Sequence, residues 1–210
     1  MSFWTIEEFL EKKKIWKLLA DRIGGSFIEG KSWRDERVVL NYKQSSSIIL
    51  NTRLNGGGKR HQYYETKVQC SFISTNQFKL KIFHENAFTH AGKVFGINDI
   101  ELDNAKFDNE FYIKSNQRET AIEFLNKDSL QKIYLAATKN LDLMVTIEIK
   151  DSNSFFSLES NPPNSFLISI EKRGEETDVE RLVSWFDLCK ATLDRLIEIG
   201  EAEDESPDIQ

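Results

Sequence analysis

Between Leu141 and Lys150 every second residue is apolar: Leu141, Leu143, Val145, Ile147 and Ile149 alternate with Asp142, Met144, Thr146, Glu148 and Lys150. Successive side chains of a strand point to opposite faces, so this segment predicts a strand with one dry and one mostly wet side. A sheet built from such strands is antiparallel and covered on one face only.

The same period recurs along the chain. Strands are expected near 26–29, 36–43, 47–54, 62–73 and 77–84, with Val68, Cys70 and Phe72 facing one way and Lys67, Gln69 and Ser71 the other. Asn55-Gly56-Gly57-Gly58 breaks two apolar runs and reads as a hairpin loop. Further strands are expected around Phe111 and Ile113, over 141–150, and near 154–159 and 165–171, with Asn161-Pro162-Pro163-Asn164 as the last turn. Residues 85–106 read as irregular.

Helical spacing takes over elsewhere. Ile6, Phe9, Leu10, Trp16, Leu19 and Ile23 predict a first helix over about 5–23, capped by Thr5 and Glu8 and stopped at Gly24-Gly25. A short helical pair is expected around 117–138, with Asn116 as an N-cap. Thr177 and Glu180 suggest a capping box for the longest stripe, Val179 to Ile197, which ends at Gly200. The expected fold is α+β: a curved, mainly antiparallel sheet packed against N-terminal and C-terminal amphipathic helices. It is expected to be one domain over 1–200, followed by a disordered acidic tail at 201–210.

Charge and composition narrow the function classes. The chain of 210 residues carries a net charge of −6, and five acids (Glu201, Glu203, Asp204, Glu205 and Asp208) fall in the last ten positions, so the body is nearly neutral. That balance lacks the basic footprint of phosphate binding, and no nucleic-acid partner is expected. No apolar run approaches the roughly 18 residues that span a bilayer, and Glu7, Glu8 and Glu11 interrupt any signal layout. Two cysteines, Cys70 and Cys189, lie within apolar patterns and form no disulfide framework. A reducing cytoplasm and no membrane contact are the expectations.

Several landmarks resemble an uncharacterised bacterial domain family: Gly96-Ile97-Asn98-Asp99-Ile100-Glu101, then Phe107-Asp108-x-x-Phe111-x-Ile113-Lys114-Ser115-Asn116, then Leu193-x-x-Leu196 and Ile199-Gly200-x-Ala202 with Pro207. The resemblance implies a bacterial origin and a shared fold. It implies no activity, since none is assigned to that family.

No constellation singles out chemistry. His84 and His90, six apart, do not match the His-Glu-x-x-His helix of a zinc site. No Gly-x-Ser-x-Gly elbow is present, and Cys70 and Cys189 read as core thiols. Glu148-x-Lys150 with Asp142, and Glu65-x-Lys67 with Asp35, loosely resemble the acid and Glu-x-Lys of metal-dependent nucleases. Such pairs also arise by chance, and wet faces carry charge anyway. Gly56-Gly57-Gly58-Lys59-Arg60 lacks the spacing of a P-loop. Lys59, Arg60, His61, Tyr63 and Tyr64 form instead a candidate contact patch, since tyrosine and arginine concentrate binding energy at interfaces.

The leading expectation is a non-catalytic cytoplasmic binding module that needs no cofactor and acts through a protein partner, one concrete version being an immunity or phage-defence component. The alternatives are a metal-dependent hydrolase or nuclease using wet-face acids such as Asp142 and Glu148, and a small-ligand binder with a pocket under the C-terminal helix.

Overall fold

The structure, a computed structural model, describes residues 6–30, 36–43, 46–55, 63–84, 100–139, 145–152 and 164–203. Among them five helices and eight strands are formed. The strands are β1 (Ser26–Ile28), β2 (Arg37–Tyr42), β3 (Ser46–Asn55), β4 (Tyr63–Ile73), β5 (Leu80–His84), β6 (Phe111–Ser115), β7 (Val145–Asp151) and β8 (Ser165–Arg173). The helices are α1 (Ile6–Ile23), α2 (Ala105–Asp108), α3 (Arg118–Leu125), α4 (Asp128–Thr138) and α5 (Val179–Glu198). All strands join one open sheet in the order β1-β2-β3-β4-β8-β7-β5-β6, and every ladder is antiparallel.

Register explains why the alternation matters. Reading straight across the ladders, Phe27, Val38, Leu50, Val68, Ile170, Ile147, Ile82 and Ile113 form one apolar row through all eight strands. All but Phe27 are buried. A second row, Leu40, Ile48, Cys70, Ile168, Ile149 and Leu80, runs beside it. Each fully buried valine, leucine or isoleucine contributes about 1.5–3 kcal/mol relative to exposure, so these rows outweigh any local propensity.

The helices roof this face. α1 packs on β1 and β2, while α5 packs on β4 and β8 and touches α1 and α4. Trp16, Leu19, Trp185, Phe186, Leu188, Cys189 and Leu193 are their buried stripes. Trp185 donates its indole N–H to the Ala137 carbonyl at 3.2 Å, and the Tyr134 and Thr192 hydroxyls pair at 3.2 Å, so the polar atoms of these three buried side chains are satisfied. Trp4 and Trp33 lie outside the described residues.

α1 ends as expected at Gly24, whose φ of +69° suits glycine. Gly25 has a second reason to be glycine, because a Cβ there would sit 2.6 Å from the Val39 carbonyl oxygen of β2. α2, which begins at the end of the stretch expected to be irregular, is set by two side chains. Asn104 caps it by accepting from the Lys106 and Phe107 N–H groups, and the Asp108 carboxylate takes the N–H groups of Leu102 and Asn104, each at 3.0 Å. Phe107 then meets Phe111 with ring centroids 4.7 Å apart, closing the entry to β6.

Three local expectations need correction. Asn116 is not the cap of α3; Gln117 holds that position without a side-chain bond. Asn116 instead accepts the Lys79 N–H at 2.7 Å and donates to the Gln77 carbonyl at 3.0 Å, so β5 starts at Leu80 rather than 77. The cap of α5 is Asp178, not Thr177, with its carboxylate accepting from the Glu180 and Arg181 N–H groups. The expected tail begins too early as well. Ala202 bridges Ser74 and is buried, and the Glu203 N–H reaches the Ile73 carbonyl at 3.0 Å. Residues 204–210, the expected strand at 154–159 and the start of the opening alternation, 141–144, lie outside the described residues.

Candidate binding face

The same registers lay out the other side of the sheet. One row reads Arg37, Asn51, Lys67, Glu171, Thr146, Phe83 and Tyr112. The next reads Val39, Ile49, Gln69, Ser169, Glu148, Lys81 and Lys114. Apolar rows within and largely polar rows without are what strand alternation dictates once helices cover one face.

The outer charges are joined in a chain. Lys67 Nζ lies 2.8 Å from Glu65 Oε2 and 3.3 Å from Glu171 Oε2. Lys150 Nζ takes the other Glu171 oxygen at 2.8 Å and Glu148 Oε2 at 2.6 Å, and the second Glu148 oxygen meets Lys81. Ser169 donates to Glu171 at 2.7 Å and receives a hydrogen bond from Gln69 at 3.2 Å. Positive and negative groups therefore alternate from β4 through β8 and β7 to β5.

Burial works to raise the Glu171 carboxyl, but its bonds to Lys150 and Ser169 and the charge of Lys67 outweigh it and hold the pKa at about 2. Glu148 is likewise lowered, because Lys150 and Lys81 overcome its desolvation. Burial pulls Lys150 down, and the two glutamates push it up by more. Carboxylates held low and salt-bridged on both oxygens make poor proton donors at neutral pH.

Two aromatic clusters flank the chain of charges. At one end the Arg173 guanidinium lies 4.3 Å from the Tyr63 ring centroid. At the other, Phe83 and Tyr112 stack at 5.9 Å with Lys114 Nζ 5.4 Å from the Phe83 centroid. Cations over ring faces at such distances are attracted by the ring quadrupole.

Of the expected contact patch, Tyr63 and Tyr64 are described. Tyr63 and Tyr64 are consecutive on β4, so they point to opposite faces, and Tyr63 alone joins the outer face. Lys59, Arg60 and His61, with the glycine loop before them, lie outside the described residues. So do His90, Asp35 and Asp142; of His84 only the strand position is described. In both Glu-x-Lys pairs described on strands, the lysine neutralises the acid two residues before it. No group of three histidine, cysteine, aspartate or glutamate side chains suited to a metal occurs among the described residues. No local sequence motif marks Glu171 and Ser169, which tie the face together. Their signal is the polar phase between Ile168 and Ile170, which marks a wet face but names no partner.

A second polar region is buried at one end of the inner face. Thr52, Thr66 and Lys172 follow one another across β3, β4 and β8. Lys172 Nζ and the Arg181 guanidinium both hold Glu176 Oε2, at 2.7 and 2.9 Å. Lys13 binds Glu36 at 3.1 Å, and Lys12 lies over the Trp16 ring at 4.1 Å. Burial lowers the Lys12 pKa against the pull of Glu175 and Glu36. Thr52 Oγ1 and Glu36 Oε2 are buried without a hydrogen-bond partner. The two core thiols are free: burial pushes Cys70 up to about 12 and Cys189 well above its ordinary value. No described helix is long and apolar enough to cross a membrane.

Compared with known proteins, the chain matches no family model, no curated protein and no solved structure.

Proposed function

We propose that the chain is a non-catalytic module that binds a protein partner through the outer face of its sheet. The observation that supports this most is the closed sequence of ion pairs from Glu65 to Lys81, which engages the described carboxylates of that face with lysines and is flanked by partly exposed aromatic rings. Enzymes of the metal-dependent hydrolase class need carboxylates turned toward an ion. Interfaces favour tyrosine, phenylalanine and arginine around a desolvated centre.

The resemblance to an uncharacterised bacterial family belongs to this proposal as a bacterial origin. Its landmarks Phe107, Asp108, Phe111 and Asn116 act here in packing and turn formation. Buried free thiols suit a reducing cytoplasm.

Capture from the cells that make the protein tests the reading. The wild type is expected to retain a defined protein that the Phe83→Ala/Tyr112→Ala variant loses, while a control at Lys190 on α5, away from the face, retains it. Unchanged melting of the variant shows that the fold survives. Metal-dependent cleavage of nucleic acid by the purified chain, abolished by Glu148→Gln, would overturn the proposal.

A further inference from the structure

We infer that the partner presents an acidic, extended segment of about nine residues, laid across the strands of the outer face. The inference rests on the proposed function and specifies the chemistry of the same face.

Charge supports it first. Among the described outer side chains six are basic (Arg37, Lys67, Lys81, Lys114, Lys150 and Arg173) and three acidic (Glu65, Glu148 and Glu171), although the whole chain carries −6. Depth sharpens the contrast. The three acids are only 14–18% exposed, whereas Lys81 is 49% exposed and Arg37 and Arg173 are also exposed. Lys67 and Lys150 lie as deep as the acids they pair with, so the charges that stand outermost are those of Lys81, Arg37 and Arg173, and an approaching molecule meets positive charge. Complementary potential of this kind steers encounter and fixes register.

Spacing sets the size of the guest. Arg37 on β2 and Tyr112 on β6 are six strands apart in one row. At about 4.8 Å per strand that is roughly 29 Å, the reach of about nine extended residues. Carboxylates of the guest fall on Arg37, Arg173, Lys81 and Lys114, and an apolar residue at its end falls on Phe83 and Tyr112. A nucleic acid fits less well, because its regular phosphates would also meet Glu65, Glu148 and Glu171 and the negative remainder of the chain.

The probe is a fluorescent nine-residue peptide alternating glutamate with leucine, titrated against the full chain by anisotropy. Controls are the same peptide with glutamine for glutamate and a nine-nucleotide thymidine strand. The glutamate peptide is expected to bind, to weaken about tenfold with Lys81→Glu/Arg173→Glu, and to weaken again as salt rises from about 0.05 to 0.3 M. Because Lys81→Glu brings a carboxylate to Glu148, unchanged melting of the variant is the check that it folds; a lysine–leucine peptide, which must bind worse than the glutamine one, reads the same charge without any variant. Equal binding of the glutamine peptide, tighter binding of the thymidine strand, or no binding at all overturns the inference. If capture succeeds and the peptides fail, only the acidic chemistry falls; if capture fails as well, the binding face itself falls.

Discussion

Lys67 is 2% exposed although strand alternation turns it outward, because Glu65 and Glu171 close over its ammonium group. A buried ion held from two sides costs little while intact and much when one member is lost. Lys67→Met keeps the stem and removes the charge from between two carboxylates. It should destabilise the fold by about 3 kcal/mol in urea unfolding. Adding Glu65→Gln and Glu171→Gln should recover most of that loss, and an unaltered single variant would mean that the ammonium group contributes nothing. Acid tests the same residues by another route. Glu171 titrates near 2 when folded and near the ordinary value of about 4.3 when unfolded. Its contribution is therefore complete above the unfolded value and disappears as pH falls through about 4 toward 2. Stability measured from pH 7 to pH 2.5 should drop over that window, and Lys150→Met, which removes the cation that lowers Glu171 most, should flatten the drop.

Elements were readable from period, and their joints were not. Alternation located the described strands and predicted which side is wet, since Val68, Cys70 and Phe72 need only their own neighbours to declare a face. Pairing across that face is a different matter. Lys67 meets Glu171 from a position 104 residues away, and β8 reaches β4 past three intervening strands, so no local pattern identifies the pair. Caps failed for a related reason. Thr177 and Asp178 both satisfy the composition of a cap, and geometry chose the second. Asn116 bonds to the segment before β5 because the β5–β6 ladder brings Lys79 beside it. The tip of α1 offers a clean test of a joint. Gly25→Ala places a methyl group 2.6 Å from the Val39 carbonyl oxygen, so α1 must separate from β2. The expected cost is about 2 kcal/mol, against a few tenths for alanine in an exposed loop; a smaller loss would mean that the contact yields.

At the scale of the molecule the two apolar rows and the terminal helices form one core, with Cys70 contributed by the sheet and Cys189 by α5. Both thiols should therefore ignore a disulfide reagent in native buffer and react together, in a single urea transition that coincides with the change in tryptophan fluorescence. Early modification of one thiol would show that the sheet and its roof come apart separately. The strand order has a further consequence, which belongs to synthesis. β4 borders β8, yet Ser165 leaves the ribosome roughly 90 residues after Ile73, a delay on the order of 5 to 20 s. Throughout that interval the nascent chain presents the longest described strand with one row of backbone groups unclaimed, an invitation to cross-pairing between neighbouring polysomal chains. Glutamate and lysine at positions 65 and 67, toward the start of that open border, make such misjoining costly until the proper strand arrives.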